Sequence, residues 1–97
     1  MDKTMSTTLK LTTLISLPKD FGEEVSVGNS YTIKKSEIRM TPIGMPLELA
    51  TSDYRYIGKI VVRKLVIEES GTEITFEVIK VFTEEESKVF SENFVRL

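Results

Sequence analysis

Tyr56-Ile57-Gly58-Lys59-Ile60-Val61-Val62-Arg63-Lys64-Leu65-Val66-Ile67-Glu68 is followed, after Glu69-Ser70-Gly71, by Thr72-Glu73-Ile74-Thr75-Phe76-Glu77-Val78-Ile79-Lys80-Val81-Phe82. Both runs are rich in β-branched and aromatic residues, and the Glu-Ser-Gly between them is a hairpin connection by composition. They predict two adjacent antiparallel strands, with Leu65 close to Ile74. Val61, Val62, Leu65, Val66 and Ile67 put apolar groups on both faces of the first strand. A central strand of a curled sheet needs that pattern, because one face meets the core and the other a covering element.

Upstream, Leu9, Leu11, Ile15 and Leu17 alternate with polar residues and predict a half-buried strand from Thr7 to Leu17. Pro18, Asp20 and Gly22 end it, and Val25 and Val27 suggest a short strand before the Gly28-Asn29 turn. Tyr31 and Ile33 open another strand that runs to Met40. Its apolar phase switches to Ile38 and Met40, which predicts a bulge or bend near Lys35-Ser36. Thr41 to Pro46 is a turn, Leu47-Glu48-Leu49 a short strand, and Ala50 to Arg55 a loop. Downstream, Thr83-Glu84-Glu85-Glu86 fits a capping box, so a helix is expected over residues 84–93, with Val89, Phe90 and Phe94 as its apolar face. Residues 1–6 carry no periodicity and are expected to be a flexible N-terminus, with 7–97 a single β-rich domain. The fold class expected is mainly β: a small antiparallel, partly closed barrel-like sheet of about five or six strands with one C-terminal helix.

With 97 residues, 40% hydrophobic and 29% charged, the chain has globular composition and room for one core. It has neither cysteine nor histidine. Disulfides, thiolate chemistry, the usual neutral-pH general base and the commonest transition-metal ligand are thereby removed. The three glutamates at 84–86 splay around a helix turn, where they complement its dipole better than they would gather a cation. Glu68-Glu69 is a solvated turn, and the five glycines form no phosphate-binding pattern. No catalytic residue, cofactor or metal site is expected. No apolar run approaches the roughly 18 residues of a membrane span. The stretch from Leu9 to Leu17 contains Lys10 and two threonines and makes a poor signal-peptide core, so a cytoplasmic protein is expected.

The net charge of −2 is unevenly spread. Residues 31–64 hold seven basic against three acidic residues, and residues 65–97 hold three against eight. Lys34, Lys35, Arg39, Lys59 and Arg63, with the interleaved Tyr54-Arg55-Tyr56, form a candidate nucleic-acid surface of stacking rings and cations. Against that reading stand a sequence pI of about 5.2 and the prospect of pairing with Glu73 and Glu77 on the next strand. The first expectation is therefore a non-enzymatic interaction domain with a protein partner or self-association. Nucleic-acid binding is the alternative.

Arg39-Met40-Thr41-Pro42, Pro46-Leu47-Glu48-Leu49, Gly58 to Leu65 and Thr72-Glu73-Ile74-Thr75 together resemble a family of short bacterial proteins of unknown function. Its members have an Arg-x-x-Pro segment, a Pro-aliphatic-Glu strand and a hairpin closing on Thr-x-Ile-Thr. The resemblance covers about three-quarters of the chain and departs after Phe82. It implies a bacterial cytoplasmic setting and a single β domain, and it carries over no functional residue.

Overall fold

The computed structural model describes residues 10, 11 and 13–92. Strand β6 (Tyr56–Glu68) and strand β7 (Gly71–Val81) form the expected antiparallel hairpin, with Glu69-Ser70 between them and Leu65 opposite Ile74. Two irregularities break its ladder. The register skips Ile79 between Lys59↔Lys80 and Ile60↔Val78, and skips Arg63 between Val62↔Phe76 and Lys64↔Thr75. An extra residue reverses the facing of all that follow it. The core face of β6 therefore passes from Ile60 and Val62 to Leu65. Much of the two-sided pattern in the sequence is thus one core face displaced by a bulge.

Three further strands extend this hairpin into a curled five-stranded sheet, two on the β6 side and one on the β7 side. On one side, β5 (Pro46–Ala50) runs antiparallel to β6, and β2 (Leu14–Ser16) lies beyond it. On the other side, β3 (Ser30–Lys35) runs antiparallel to β7, with Tyr31 opposite Phe76. The sheet is mixed, since β2 is parallel to β5, Ile15 lying beside Leu49. Some thirty residues separate these two strands, including β3, and a connection of that length lets a strand return in the same direction. Ile15, Leu49, Ile60, Val62, Ile74, Phe76 and Val78 are each at most 1% exposed and line the concave face.

Neither long outer strand expected from the sequence is continuous. The described part of Thr7–Leu17 is β1 (Lys10–Leu11) and β2, with a bend at Thr13; residues 7–9 lie outside the described residues. Likewise the Tyr31–Met40 run is β3, a bend, and β4 (Arg39–Met40). The two short pieces β1 and β4 pair parallel, Lys10 with Arg39 and Leu11 with Met40. The phase switch at Lys35-Ser36 is thus the bend, of the bulge or bend expected, by which the strand leaves the sheet. Buried Thr72 holds that departure: its hydroxyl donates to Glu37 O (2.8 Å) and accepts from Arg39 N (2.9 Å). Nearby, the Lys35 ammonium donates to the backbone and side-chain oxygens of Ser16. Lys35 and the β1–β4 pair together form a seam that draws the two edges of the sheet towards each other.

Val25 and Val27 form no strand; both lie in the long loop between β2 and β3. Phe21 and Val25 pack on the core from this loop, and Phe21 meets Tyr31 edge-on at 5.8 Å. The Tyr31 hydroxyl accepts from Ser26 N and donates to Glu24 O, which ties the loop down. Val25 is apolar because it plugs the barrel mouth, and Val27 is exposed.

Helix α1 (Glu84–Glu92) starts where the capping box places it. Thr83 N donates to Glu86 Oε1 (2.9 Å), and Glu86 N donates to Thr83 Oγ1 (3.2 Å). Of the apolar face expected, Val89 is more than half exposed, and the Phe90 side chain and Phe94 lie outside the described residues. The Ser87 hydroxyl donates to Tyr56 O, and Tyr56 N donates to Ser91 Oγ (3.1 Å). Serines four apart share one helix face, so the pair caps the open backbone at the start of β6. Thr83→Ala is expected to cost about 1 kcal/mol in urea denaturation, the usual loss for an N-cap hydroxyl. The Thr83 amide, with Lys80 adding, holds the Glu86 carboxyl below its ordinary 4.5. That contribution is present above about pH 4.5 and is lost as pH falls through the lower folded-state value. An NMR titration should show the first-turn amides of α1 shifting in that acidic window.

Candidate functional site

Two cavities open side by side at the end of the barrel where β5 ends and β6 begins. One, of about 520 Å³, lies under the β2–β3 loop and includes Leu17, Phe21, Val25, Thr51 and Val81. The other, of about 630 Å³, lies against α1 and includes Thr83, Ser87, Lys88 and Ser91. Arg55, Ile57 and Phe82 line both. The two spaces therefore make one groove, with those three residues as the ridge between its halves. Phe82 is held there by its amide, which donates to Ile57 O (2.9 Å).

Arg55 is positioned by a tight loop. Thr51 N donates to Arg55 O (2.9 Å), Arg55 N donates to Thr51 Oγ1 (3.1 Å), and Tyr54 N donates to Thr51 O (2.9 Å). Tyr54 adopts a left-handed backbone (φ 66°), uncommon for a non-glycine residue, and its ring is partly exposed. The Thr51 hydroxyl also donates to Asp53, which together with Arg55 holds that carboxyl below its usual value. Tyr56 points elsewhere: it starts β6 and is half-buried, and burial, with Glu48 adding, pushes its phenol up. Of the Tyr54-Arg55-Tyr56 triplet, only Arg55 lines the groove.

The other candidate residues are dispersed. Lys34 and Lys35 line a third cavity of about 310 Å³ at the hairpin end, facing Glu73 and Thr72 across the β3–β7 ladder. That place is roughly 30 Å along β7 from the groove, at about 3.3 Å per residue. Lys59 pairs with Glu48 (3.3 Å), Arg63 with Glu77 (3.0 Å) and Arg39 with Glu37 (2.7 Å). The convex face alternates in sign: Arg63–Glu77 joins the basic segment to the acidic one, while Lys59 and Arg39 pair with carboxylates of the basic segment itself. Among the described residues no group of three or more carboxylates could hold a metal ion, and no helix is long and apolar enough to cross a membrane. Sequence reasoning missed Phe82, Ser87 and Ser91. The one signal available was two serines at helical spacing where apolar residues are expected.

No family model and no curated protein matches this chain. Among solved structures, the crystal structure of protein ytmB from Bacillus subtilis, a structural-genomics target, is similar over 82% of this chain and 98% of its own. The TM-score is 0.67 at 24% identity, so the likeness bears on the fold alone. The class defined is a small, curled, mainly-β half-barrel with one C-terminal helix.

Proposed function

We propose that this protein is a non-catalytic interaction module whose groove at the barrel mouth receives a segment of another protein. The carrying observation is the pair of adjacent cavities that share Arg55, Ile57 and Phe82 in their walls. A concave site that combines apolar walls with placed polar groups is an ordinary form of recognition site. The alternating charges of the convex face support a protein partner over nucleic acid, because interspersed cations and carboxylates largely cancel beyond a Debye length of about 8 Å. A cytoplasmic bacterial setting with no cofactor fits this role.

The test is quantitative cross-linking from cells that express wild-type protein or Arg55→Glu, matched for thermal midpoint. A protein partner retained by the wild type and lost from the variant is the expected result. In parallel, a labelled single-stranded oligonucleotide should show no submicromolar binding at about 0.15 M salt. Tight binding that weakens with salt and vanishes in Arg55→Glu would replace this reading with the nucleic-acid one.

A further inference from the structure

Apart from the groove, we propose that the outer edge of β3 is a dimerisation surface, on which β3 of a second copy of this chain pairs antiparallel about a two-fold axis through Thr32. β3 is the last strand of the sheet on the β7 side. Val78 N donates to Asn29 O (3.0 Å) and Gly28 N donates to Val78 O (2.8 Å), a bulge with Gly28 at φ 89° that sets the alternation of the ladder after it. Tyr31, Ile33 and Lys35 therefore turn their backbone groups to β7, and Ser30, Thr32 and Lys34 turn theirs outward. Among the described residues nothing bonds those outward N–H and C=O groups, and Ser30, Thr32 and Lys34 are all exposed.

The charges commit this edge to its own copy. An antiparallel neighbour must set outward residues opposite outward residues. With the axis through Thr32, Ser30 of each copy faces Lys34 of the other, and every outward group is paired. An axis through Lys34 would oppose like charges. One through Tyr31 or Ile33 would set Lys34 or Ser30 against the chain beyond the partner strand. On β7, Glu73 lies beside Lys34 and Glu77 beside Ser30. Across the join the convex face then reads Glu73, Lys34, Ser30, Glu77, so each ammonium stands between two carboxylates, with a small serine and strand spacings of about 4.8 Å on the far side. A lysine on an open edge ordinarily discourages pairing. Here the carboxylates of β7 reverse that in one register and leave it in force against the others. Pairing ends at Lys34, one residue short of the Lys35–Ser16 bonds that close the seam. Tyr31 and Ile33 are already buried, so the join adds little apolar area and the dimer is weak.

The experiment combines sedimentation velocity with amide hydrogen exchange from about 10 µM to about 1 mM protein, the range in which a small interface dimerises. The sedimentation coefficient should climb from monomer towards dimer. The Thr32 and Lys34 amides should exchange about tenfold more slowly at the top of the range, while those of Tyr31 and Ile33, bonded to β7, stay slow throughout. Thr32→Pro, a residue that an open strand edge tolerates, should remain monomeric at every concentration with its thermal midpoint kept. Lys34→Glu should weaken the dimer about tenfold by facing Glu73 and Glu77 with like charge. Arg55→Glu, in the groove, should dimerise as the wild type does. A monomer at every concentration would overturn the proposal and leave the groove untouched. So would a dimer that both β3 variants preserve, or one that leaves the Thr32 amide exchanging freely; loss of that dimer in Arg55→Glu would assign the contact to the groove.

Discussion

Gly71→Ala is expected to lower stability by at least about 3 kcal/mol, or to prevent folding, the combined effect of a strained backbone and an unrelieved clash. Gly71 closes the hairpin at φ +139°, where side chains are rarely tolerated. A Cβ there would lie 2.0 Å from Lys35 O and 3.1 Å from Ser36 Cα. Both contacts are backbone, so no rotamer change relieves them. They belong to the segment that leaves the sheet between β3 and β4, which Thr72 fastens one residue later. The substitution therefore disturbs the crossing as well as the turn. Chemical denaturation, with the near-ultraviolet aromatic signal as probe, measures the loss; a cost below about 1 kcal/mol would show that the segment does not sit on Gly71.

Phe76→Ala should cost about 3–5 kcal/mol, the range for removing a buried phenylalanine from a core that cannot collapse into the space. Phe76 is fully buried on β7, an inner strand, opposite Val62 on one side and Tyr31 on the other, with its ring 5.9 Å from the Tyr31 ring. Tyr31 in turn carries Phe21 and, through its hydroxyl, the loop over the groove. A domain of this size has about 5–15 kcal/mol of stability in total, so the variant sits near the unfolding threshold. A urea midpoint and m-value distinguish a destabilised fold from a loosened one.

The legible features were those encoded by neighbours in sequence. The β6–β7 hairpin is written in contiguous β-branched residues and a two-residue connection, and its register is that expected at Leu65 and Ile74. The capping box needs only four consecutive residues, and both of its bonds form. What escaped depends on partners far along the chain. The breaks in the two outer runs are set by residues 10–11 meeting residues 39–40, and the parallel place of β2 by residues 46–50. Periodicity carries no information about either. The site escaped for the same reason, since the groove draws on the β2–β3 loop, the Thr51 loop, β6, β7 and α1. Tyr54-Arg55-Tyr56 reads as a unit in sequence, but a left-handed residue and a strand start send its side chains to different places.

The seam has a consequence for the growing chain. Ser16 and Lys35 leave the ribosome early, but the strands that flank them, β5 and β7, are completed only at Ala50 and Val81. At about 5–20 residues per second, β2 waits roughly 3–13 s before the whole sheet exists. Through that interval Leu14-Ile15 and Tyr31-Thr32-Ile33 are exposed, unpaired and able to pair wrongly, with each other or with a second nascent chain. Lys10, Lys34 and Lys35 stand beside those residues, where charge opposes such pairing. In the nascent chain these lysines guard the edges, and in the finished protein Lys35 bonds one edge to the other.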